Sequence, residues 1–393
     1  MDALMLPSNW QRVRLGDIAE IIGGGTPSTQ VTSFWNGSIN WFTPTEIGIT
    51  KYVYKSQRTI TPLGLKKSSA KLLPIGTILL TSRASIGDCA ILKVVATTNQ
   101  GFQSLIPLEK INNEFLYYLI LTLKNKLLKL ASGSTFLEVS PNKIKNLLIP
   151  LPPLNEQIAI ADILSDVDHY LCSLDALILK KESVKKALSF ELLSQRKRLK
   201  GFNQNWQRVR LGDIGKPCMC KRVMKHQTTR YGEIPFYKIG TFGNTADAFI
   251  SKKLFLEYKT KYSFPKKGDI LISASGTIGR AVIYDGKPAY FQDSNIVWID
   301  NDETLVKNDF LFYAYSNVKW NTEHTTILRL YNDNFRNTLI PLPPLNEQIA
   351  IADILSDVDH EIASLKNKKR QFDNIKKALN HDLMSAKIRV LKK

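Results

Sequence analysis

The 393-residue chain contains only four cysteines, Cys89, Cys172, Cys218 and Cys220. This number and spacing give no plausible disulfide framework, and the Cys218–Cys220 pair has no second pair nearby to complete a metal site. No apolar run is long enough to cross a bilayer, and the first ten residues lack the charged-then-apolar pattern of a signal peptide. We therefore expect reduced thiols and a cytoplasmic location.

Catalytic motifs are also missing from the sequence. No G-x-x-x-x-G-K-[ST] phosphate loop occurs, because residues 23–25 are followed by no suitable lysine. The five histidines show no metal-ligand spacing. The Asn-Pro-Pro-aromatic signature of amino-methyltransferases is absent, and no acidic cluster with lysine suggests a nuclease. We expect a chain that has no catalytic activity and binds no metal ion or cofactor of its own.

A long internal duplication is the most informative feature that is present. Residues 148–169 read LIPLPPLNEQIAIADILSDVDH, and residues 339–360 read the same 22 letters. The decapeptide NWQRVRLGDI also occurs twice, at Asn9–Ile18 and at Asn205–Ile214. Identity over such lengths excludes chance, so the chain consists of two tandem halves of about 195 residues each.

The positive charge is distributed unevenly along these halves. The net charge is +19, from 54 basic and 35 acidic residues. Residues 1–154 carry 16 basic and 8 acidic residues, and residues 201–345 carry 20 and 13. Residues 155–200 and 346–393 are closer to balance, at 8 against 7 and 10 against 7. A polyanionic partner for the two basic segments is the natural interpretation, and a merely basic soluble protein is the alternative.

Each basic segment has the pattern of a mixed α/β (α+β) domain. Short apolar runs between turn residues predict strands, and longer amphipathic runs predict helices. The predicted strands are Thr77–Thr81, Ile91–Ala96, Asp269–Ser273 and Ser294–Ile299, and the predicted helices are Asn113–Leu130 and Asn308–Val318.

Residues 155–200 and 346–393 are predicted to form two long helices, with Asn155 as the N-cap of the first. Their apolar residues recur at alternating spacings of three and four, which is the heptad seam of a coiled coil. Lys181 and Lys185 interrupt the seam, and Val184 is expected to replace them there. The seam residues are Ile160, Leu164, Val167, Leu171, Leu174, Ile178, Leu188 and Leu192 in the first helix, and Ile351, Leu355, Val358, Ile362, Leu365, Phe372, Leu379 and Leu383 in the second.

Both helices are acidic near their beginning and basic later. An antiparallel pair would place the acidic part of each helix against the basic part of the other, whereas a parallel pair would place like charges together. We therefore predict an antiparallel coiled coil. The alternative is that each helix packs on its own domain.

DNA binding is the function that this organisation favours. Lysine and arginine side chains would contact phosphates, and polar side chains on loops would contact base edges. Several aromatic candidates could equally belong to the core. The candidate DNA-binding residues are Thr26, Ser28, Trp41, Thr43, Ser82, Arg83, Ser134 and Thr135 in the first half, and Lys221, Arg222, Lys225, Tyr237, Lys238, Ser273, Ser275, Arg329, Tyr331 and Asn332 in the second.

The chain resembles the specificity subunit of type I restriction–modification enzymes. The resemblance rests on W-x-x-V-x-L-G-D-I at the start of each half, on G-G-T-P-S at 24–28, on G-D/T-I-L at Gly76 and Gly268, and on I-P-L-P-P-L-x-E-Q at the entry to each long helix. Residues 192–202 and 383–390 also look like the family's helix ends. The resemblance covers essentially the whole chain.

This resemblance implies that residues 1–154 and 201–345 are target recognition domains, each reading one half of a bipartite, asymmetric DNA site. It implies that the helices space the two domains and dock methyltransferase subunits, to which restriction subunits are added. S-adenosylmethionine, ATP and Mg²⁺ would then bind only to the partner subunits. Base-contacting residues differ with the target in this family, so the resemblance supplies no fixed set of them.

Three other interpretations remain open at the level of sequence. The chain could be a stand-alone architectural protein that binds DNA with two domains. The presence or absence of a methyltransferase partner would distinguish this protein from a specificity subunit. The chain could be the recognition part of a fused enzyme, although the methyltransferase motif is missing. A purely structural coiled-coil protein is disfavoured by the charge and divergence of the two globular segments.

Overall fold

The computed structural model describes residues 6–133, 137–320, 323–324, 328–330 and 332–390. Packing divides the chain into two compact units. Unit 1 combines Met1–Asp175 with Asn367–Lys393, and unit 2 is Ala176–Lys366. Each unit therefore contains one globular segment and a part of both long helices, whereas the predicted four-segment division follows the order of the chain. Within the described ranges, no helix is long and apolar enough to cross a membrane.

The globular part of unit 1 is a mixed α/β domain. Its strands are β1 (Gln11–Arg14), β2 (Ala19–Gly23), β3 (Trp35–Phe42), β4 (Tyr52–Val53), β5 (Arg58–Ile60), β6 (Ile78–Leu80), β7 (Cys89–Leu92), β8 (Ala96–Thr98), β9 (Gln103–Pro107) and β10 (Leu148–Leu151). One sheet has the order β2-β9-β6-β7-β4 and a second has the order β5-β3-β8. β1 pairs antiparallel with β10, so the first copies of the two repeated motifs form one ribbon.

In the described part of this domain, three α-helices accompany the sheets: α1 (Pro62–Lys66), α2 (Asn113–Leu130) and α3 (Pro141–Lys145). Short 3₁₀ turns lie at Leu15–Asp17, Thr32–Phe34 and Pro44–Glu46. α2 has the predicted bounds, because the Asn112 side chain caps it by accepting a 2.9 Å hydrogen bond from the Phe115 amide. Its apolar face covers the larger sheet and forms the core of unit 1. The single strand predicted at Ile91–Ala96 is wrong, because residues 93–95 separate β7 from β8.

The first long helix, α4, runs from Leu154 to Leu193. The Pro153 carbonyl accepts from the Glu156 and Gln157 amides at 2.9 and 3.0 Å, so the helix begins before Asn155. The prediction of Asn155 as the N-cap is therefore wrong. Proline suits this boundary because it has no N–H group to continue the helix toward the N-terminus, whereas its carbonyl can accept the first helical hydrogen bond.

Unit 2 has a similar arrangement of strands and helices, but its sheets differ in strand number and order. Its strands are β11 (Gln207–Arg210), β12 (Gly215–Met219), β13 (Ile234–Tyr237), β14 (Phe249–Ile250), β15 (Ile270–Ser273), β16 (Ala281–Ile283), β17 (Tyr290–Phe291), β18 (Ile296–Asn301), β19 (Glu323–His324), β20 (Leu328–Arg329) and β21 (Leu339–Leu342). The sheet orders are β12-β18-β15-β16 and β14-β13-β17, and β11 pairs with β21 as β1 does with β10.

The helices of unit 2 are α5 (Leu211–Ile214), α6 (Lys252–Lys261), α7 (Asn308–Ala314) and α8 (Asn332–Asn337), with 3₁₀ turns at Lys225–Gln227 and Tyr315–Asn317. The second long helix, α9, runs from Leu345 to Met384. The helix predicted at Asn308–Val318 is thus an α-helix that tightens into a 3₁₀ turn at its C-terminal end.

The two long helices pair antiparallel within each unit, as predicted. In unit 1, Asp168 pairs with Lys376, and Asp175 pairs with Lys369 at 2.7 Å. In unit 2, Lys181 pairs with Glu361 at 2.7 Å, Glu182 with Lys366 and Lys185 with Asp359 at 2.6 Å. Residue numbers rise on one helix as they fall on the other, and acidic positions meet basic ones in both units.

The predicted seam lies on the inner side of the helices. Buried positions are Ile160, Leu164, Leu171, Leu174, Ile178, Leu192, Ile351, Leu355, Ile362 and Leu383. Partly buried positions are Val167, Leu188, Val358, Leu365, Phe372 and Leu379. Val184 is exposed and does not replace the interrupting lysines, which form ion pairs instead. Ile160, Leu164 and Leu383 also belong to the core of the unit 1 domain, so helix pairing and packing on a domain occur together.

Candidate nucleic-acid interface

The loop after β6 in unit 1 and the loop after β15 in unit 2 form the same backbone hydrogen bonds. In unit 1 the Ser82 amide donates to the Gly101 carbonyl at 2.8 Å, and the Ser82 carbonyl accepts from the Val139 amide at 3.1 Å. In unit 2 the Ala274 amide donates to the Asn295 carbonyl, and its carbonyl accepts from the Leu330 amide, both at 2.8 Å. Ser82 and Ala274 are therefore equivalent, and three chain segments converge at each of them.

A left-handed turn follows at the matching position of each loop. Ala84 has a φ of 54° and Gly276 a φ of 65°. This conformation is unfavourable for alanine and costs glycine little. The same turn is thus built from two different residues, and it presents the residues before it, Arg83 and Ser275, at equivalent places.

The unit 1 loop edge consists of the glycine loop at 24–28, the turn at Thr43, residues 82–84, residues 99–101 and Glu138. The Gly25 amide donates to the Thr98 carbonyl at 2.9 Å, and the indole of buried Trp41 donates to the Gly25 carbonyl at 2.8 Å. A side chain at Gly24 would collide with the Asn99 carbonyl. The Thr26 hydroxyl donates to the Gln100 side chain. Close backbone packing therefore holds exposed polar groups from separate loops side by side.

Arg83 is the basic group at the centre of this edge. Its guanidinium pairs with Glu138 at 2.8 Å, and both side chains remain partly exposed. The backbones of the two residues also form an isolated antiparallel bridge. Ser275 and Arg329 form the equivalent bridge in unit 2. In unit 1 the basic residue of the bridge is thus Arg83, in the loop after β6. In unit 2 it is Arg329, which pairs with the loop after β15.

The unit 2 loop edge consists of residues 221–222, Lys238, residues 275–276, residues 293–295 and Arg329. The Arg222 guanidinium donates to Asp293 at 2.9 Å. The Ser275 hydroxyl donates to the Asn295 side chain at 2.8 Å, and Arg329 donates to the Ser294 carbonyl at 2.9 Å. Hydroxyl, amide, carboxylate and guanidinium groups therefore contact one another at this edge, and the Arg222 guanidinium is the most exposed of them.

The candidate residues from the sequence fall into three groups. Trp41, Ser82 and Ser273 are enclosed and bond to nearby carbonyls, so they support the loops and offer little to a ligand in this conformation. Thr43 caps the turn to Glu46, Tyr237 stacks on Phe291, and Ser275 is nearly buried. The exposed or partly exposed candidates are Thr26, Ser28, Arg83, Lys221, Arg222, Lys225, Lys238, Arg329 and Asn332. Ser134, Thr135 and Tyr331 lie outside the described residues.

Several residues that bond to the candidates were not among the residues predicted from the sequence. Gln100 contacts Thr26, Glu138 pairs with Arg83, and the 293–295 segment holds Arg222, Ser275 and Arg329. For Gln100 and the 293–295 segment the signal was a polar stretch before a strand in each half, at residues 99–101 and 292–295, whereas Glu138 lies in neither stretch.

The duplicated motifs form a buried clamp in each unit. Glu156, which is 1% exposed, accepts from the Trp10 indole at 3.1 Å and from the Arg389 guanidinium at 2.7 and 3.1 Å. Glu347, also 1% exposed, accepts from the Trp206 indole at 2.9 Å and from Arg198 at 3.1 and 3.0 Å. Each clamp joins the start of one long helix, the segment after the other helix and the opening motif of its unit.

The glutamine that follows each clamp carboxylate fixes the domain to its helix. Gln157 donates to the carbonyls of Lys110 and Pro152 at 3.1 and 2.9 Å and accepts from the Asn112 amide at 2.8 Å. Gln348 makes the matching bonds to the carbonyls of Leu305 and Pro343 and to the Lys307 amide. In each repeat the glutamate thus forms the clamp, and the glutamine that follows it fixes the domain to its helix.

A tyrosine from each domain also bonds to its long helix. The Tyr118 hydroxyl donates to Asp168 at 2.5 Å, and the Tyr313 hydroxyl donates to Asp359 at 2.8 Å. Burial, and then the hydrogen bond to the aspartate, raises the pKa of each tyrosine well above its ordinary value. Both hydroxyls therefore stay protonated and act as donors at any physiological pH.

Comparisons with known proteins agree with this organisation. The family model described as "Type I restriction modification DNA specificity domain" matches residues 7–181 and 203–372. A putative type I restriction enzyme specificity subunit of Haemophilus influenzae is 47% identical over 251 residues, which are 63% of this chain and 64% of that protein. The chain thus spans just under two thirds of that relative. A specificity subunit of Methanocaldococcus jannaschii is 30% identical over 366 residues, which are 86% of this chain and 84% of the relative.

Solved structures show the same fold. The S subunit of a type I restriction–modification system from M. genitalium matches with a TM-score of 0.56 and 18% identity, over 97% of this chain and 98% of that one. A chain from a type I restriction–modification system studied for its assembly matches with a TM-score of 0.61 and 19% identity, over 96% and 98%. Because the family model covers most of both halves, the chain belongs to the type I restriction–modification DNA specificity domain family.

Proposed function

We propose that this chain is the DNA sequence-recognition subunit of a type I restriction–modification complex. Each loop edge reads one half of a bipartite, asymmetric site in double-stranded DNA. The observation that carries this proposal is the pair of loop edges, which share backbone bonds at Ser82 and Ala274 but present different side chains. One backbone design with two sets of polar groups suits the reading of two different half-sites.

The exposed groups have the chemistry that base edges and phosphates require. Arginine can bind guanine in the major groove through two hydrogen bonds, and amide or hydroxyl groups can bind adenine and other bases. Arg83, Arg222 and Arg329 already engage a carboxylate or a carbonyl. Such bonds restrict side-chain motion before DNA arrives, which lowers the entropy lost on binding.

The chemical steps belong, in this proposal, to partner subunits. The specificity chain is non-catalytic, S-adenosylmethionine is bound by methyltransferase subunits, and ATP and Mg²⁺ serve the restriction subunits. The names of the relatives, which are specificity subunits of type I restriction enzymes, support this division of tasks. In the same scheme the complex works on cytoplasmic DNA.

The identical repeats would dock two copies of one methyltransferase subunit. Leu148 and Leu339 are 56% and 53% exposed, and Ile158 and Ile349 are 42% and 43% exposed. These apolar side chains occur at equivalent places of the two repeats with nearly equal exposure, and Ile158 and Ile349 each follow a clamp glutamate by two residues on its helix. Two matching apolar surfaces are what two copies of one partner would require.

The docking surfaces make a testable prediction. Leu148→Glu should remove one methyltransferase copy from the complex, Leu339→Glu should remove one, and the double variant should remove both, because a carboxylate opposes burial at the interface. Native mass spectrometry of the co-purified complex would count the copies. Leu72→Glu, at a leucine outside the repeats with a similar exposure of 49%, is the matched control. Full occupancy in the double variant would contradict this docking site.

The long helices would set the spacing between the half-sites. α4 and α9 each contribute residues to both units. Removing one matched heptad from both helices should therefore change the number of unread base pairs and leave the half-site letters unaltered. Altered letters with an unchanged spacer would contradict this role.

The function itself is tested by sequencing the methylome of the host with and without this gene. One bipartite methylated motif should disappear with the gene and return on complementation. An unchanged methylome would overturn the proposal. Retention of DNA binding by a chain that co-purifies with no methyltransferase would instead favour a stand-alone architectural protein.

A further inference from the structure

A basic surface lies beside the unit 2 loop edge, formed by residues 221–230 and helix α6. Gln227 bonds to the Tyr258 hydroxyl at 3.4 Å, and Lys221 lies over the Tyr262 ring at 5.0 Å. At the other end, Thr229 and Phe249 exchange backbone bonds of 2.9 Å just before α6 begins. Residues 221–230 therefore run along the whole length of the helix.

Both elements expose basic side chains. We call the set Lys221, Lys225, Arg230, Lys252, Lys253 and Lys259 the basic ledge. All six residues are exposed, and none forms an ion pair with an acidic group in the described part of the chain. Glu257, the acidic residue of α6, pairs with Lys261 instead. The ledge is thus a cationic surface that is not neutralised by the described residues.

Aromatic rings support part of this surface. Lys259 lies over the rings of Phe255 and Phe264 at 5.6 and 5.3 Å, as Lys221 does over Tyr262. A ring face attracts a cation without neutralising it. The ammonium groups are therefore restrained in position and remain available to an anion.

The ledge is continuous with the unit 2 loop edge. Lys221 is followed by Arg222, which pairs with Asp293, and the next residue, Ser294, accepts from Arg329 through its carbonyl. The Tyr290 hydroxyl also bonds to the Lys221 carbonyl at 3.1 Å. A duplex lying on the loop edge would thus have its sugar–phosphate backbone beside the ledge.

In the described residues of unit 1, the elements that correspond to the ledge carry fewer basic side chains. Its counterpart of residues 221–230 is the segment after β2, residues 24–34, which contains no lysine or arginine. α1 spans five residues against ten in α6. The exposed lysines near α1 are Lys66, Lys67 and Lys71.

We propose that the basic ledge binds the DNA phosphates flanking the half-site that unit 2 reads. This inference rests on the proposed function and extends it. Unit 2 then supplies a larger sequence-independent share of the affinity than unit 1, because phosphate contacts release counterions and carry no sequence information.

The test compares two triple substitutions in the full-length chain. Lys252→Gln, Lys253→Gln and Lys259→Gln together remove three charges from the ledge. Lys66→Gln, Lys67→Gln and Lys71→Gln remove the same charge from exposed positions in unit 1. Binding to a duplex selected by the unaltered chain from a random-sequence pool is measured between about 50 and 200 mM salt. Thermal unfolding of each variant checks that the fold is retained.

The ledge variant should lower the slope of log affinity against log salt by about two to three, and weaken binding about 10- to 100-fold near 100 mM salt. The unit 1 variant should leave the slope nearly unchanged, and both variants should select the same sequence as the unaltered chain. Equal losses in both variants, or no loss in the ledge variant, would overturn the ledge alone. A changed sequence preference would reassign the ledge to base reading. Absence of any duplex binding by the unaltered chain would overturn the proposed function as well.

Discussion

Units 1 and 2 hold their long helices with the same side chains but line their loop edges with different ones. The clamp of unit 1 joins Glu156, Trp10 and Arg389, and the clamp of unit 2 joins Glu347, Trp206 and Arg198. At the loop edges, Arg83 and Glu138 correspond to Ser275 and Arg329. The identical parts fix helix geometry, and the differing parts lie at the loop edges, where Arg83, Glu138 and Arg329 remain partly exposed and Ser275 is nearly buried.

Disrupting the clamps should have the largest effect on the two units. Arg389→Ala and Arg198→Ala each leave a buried carboxylate without its cation, and each should destabilise its own unit by about 2 to 3 kcal/mol. The expected loss of stability is smaller than for a fully buried ion pair because both arginine side chains are 28% exposed. Hydrogen exchange of peptides from α2 and α7 would report the two units separately.

Glu347 keeps one other donor, the Trp206 indole, whereas Glu156 keeps the Trp10 indole and a long bond from Asn9. Arg198→Ala should therefore cost at least as much as Arg389→Ala. Replacing both partners with apolar residues, Glu156→Leu with Arg389→Met, should recover part of the loss. A loss of protection in the other unit alone would contradict the assignment of each clamp to its own unit.

The tyrosine contacts give a smaller and unequal effect. Tyr118→Phe and Tyr313→Phe each remove a hydroxyl bonded to an aspartate, which should cost about 1 to 2 kcal/mol. The Tyr118 hydroxyl also accepts from the largely buried Lys51 at 3.0 Å. Tyr118→Phe should therefore be the more costly change by urea denaturation followed with local exchange probes. Equal costs would mean that Lys51 is satisfied by Glu114 and Ser165 alone.

The helix–helix ion pairs should have the smallest effect. Lys376→Gln in unit 1 and Lys185→Gln in unit 2 each break a partly exposed pair with an aspartate. We expect losses of about 0.2 to 1 kcal/mol that shrink further as salt is added. Thermal unfolding at low and high salt measures this. A loss that is large and independent of salt would indicate that these lysines are structurally buried in solution.

The repeats and the heptad spacing predicted the helix pair and its direction, because local periodicity and charge order determine both. The clamps could not be predicted in the same way. Arg389 and Glu156 are 233 residues apart in sequence, and nothing local marks one as the partner of the other. Trp10 and Trp206 were visible as repeated letters, but their contacts depend on how the ribbon β1–β10 and its counterpart β11–β21 lie on the helices.

The loop edges were only partly predictable for a different physical reason. Ser82 and Arg83 are neighbours in the same loop, yet one is enclosed and the other reaches outward. Which of two polar neighbours faces solvent depends on the left-handed turn at Ala84, and the sequence gives no sign of that turn because alanine rarely adopts it. In unit 2 the glycine at the same place was a visible turn signal.

The discontinuous composition of unit 1 has a consequence for synthesis on the ribosome. Residues 367–390, which supply Leu383, Met384 and Arg389, are translated only after all of unit 2. At about 5 to 20 residues per second, that delay is about 10 to 40 s. Unit 2 is one continuous stretch and can complete its fold first. For that interval the nascent unit 1 lacks Leu383 and Met384 from its core and the Arg389 partner of Glu156, so part of its apolar core stays exposed to solvent until these residues are made.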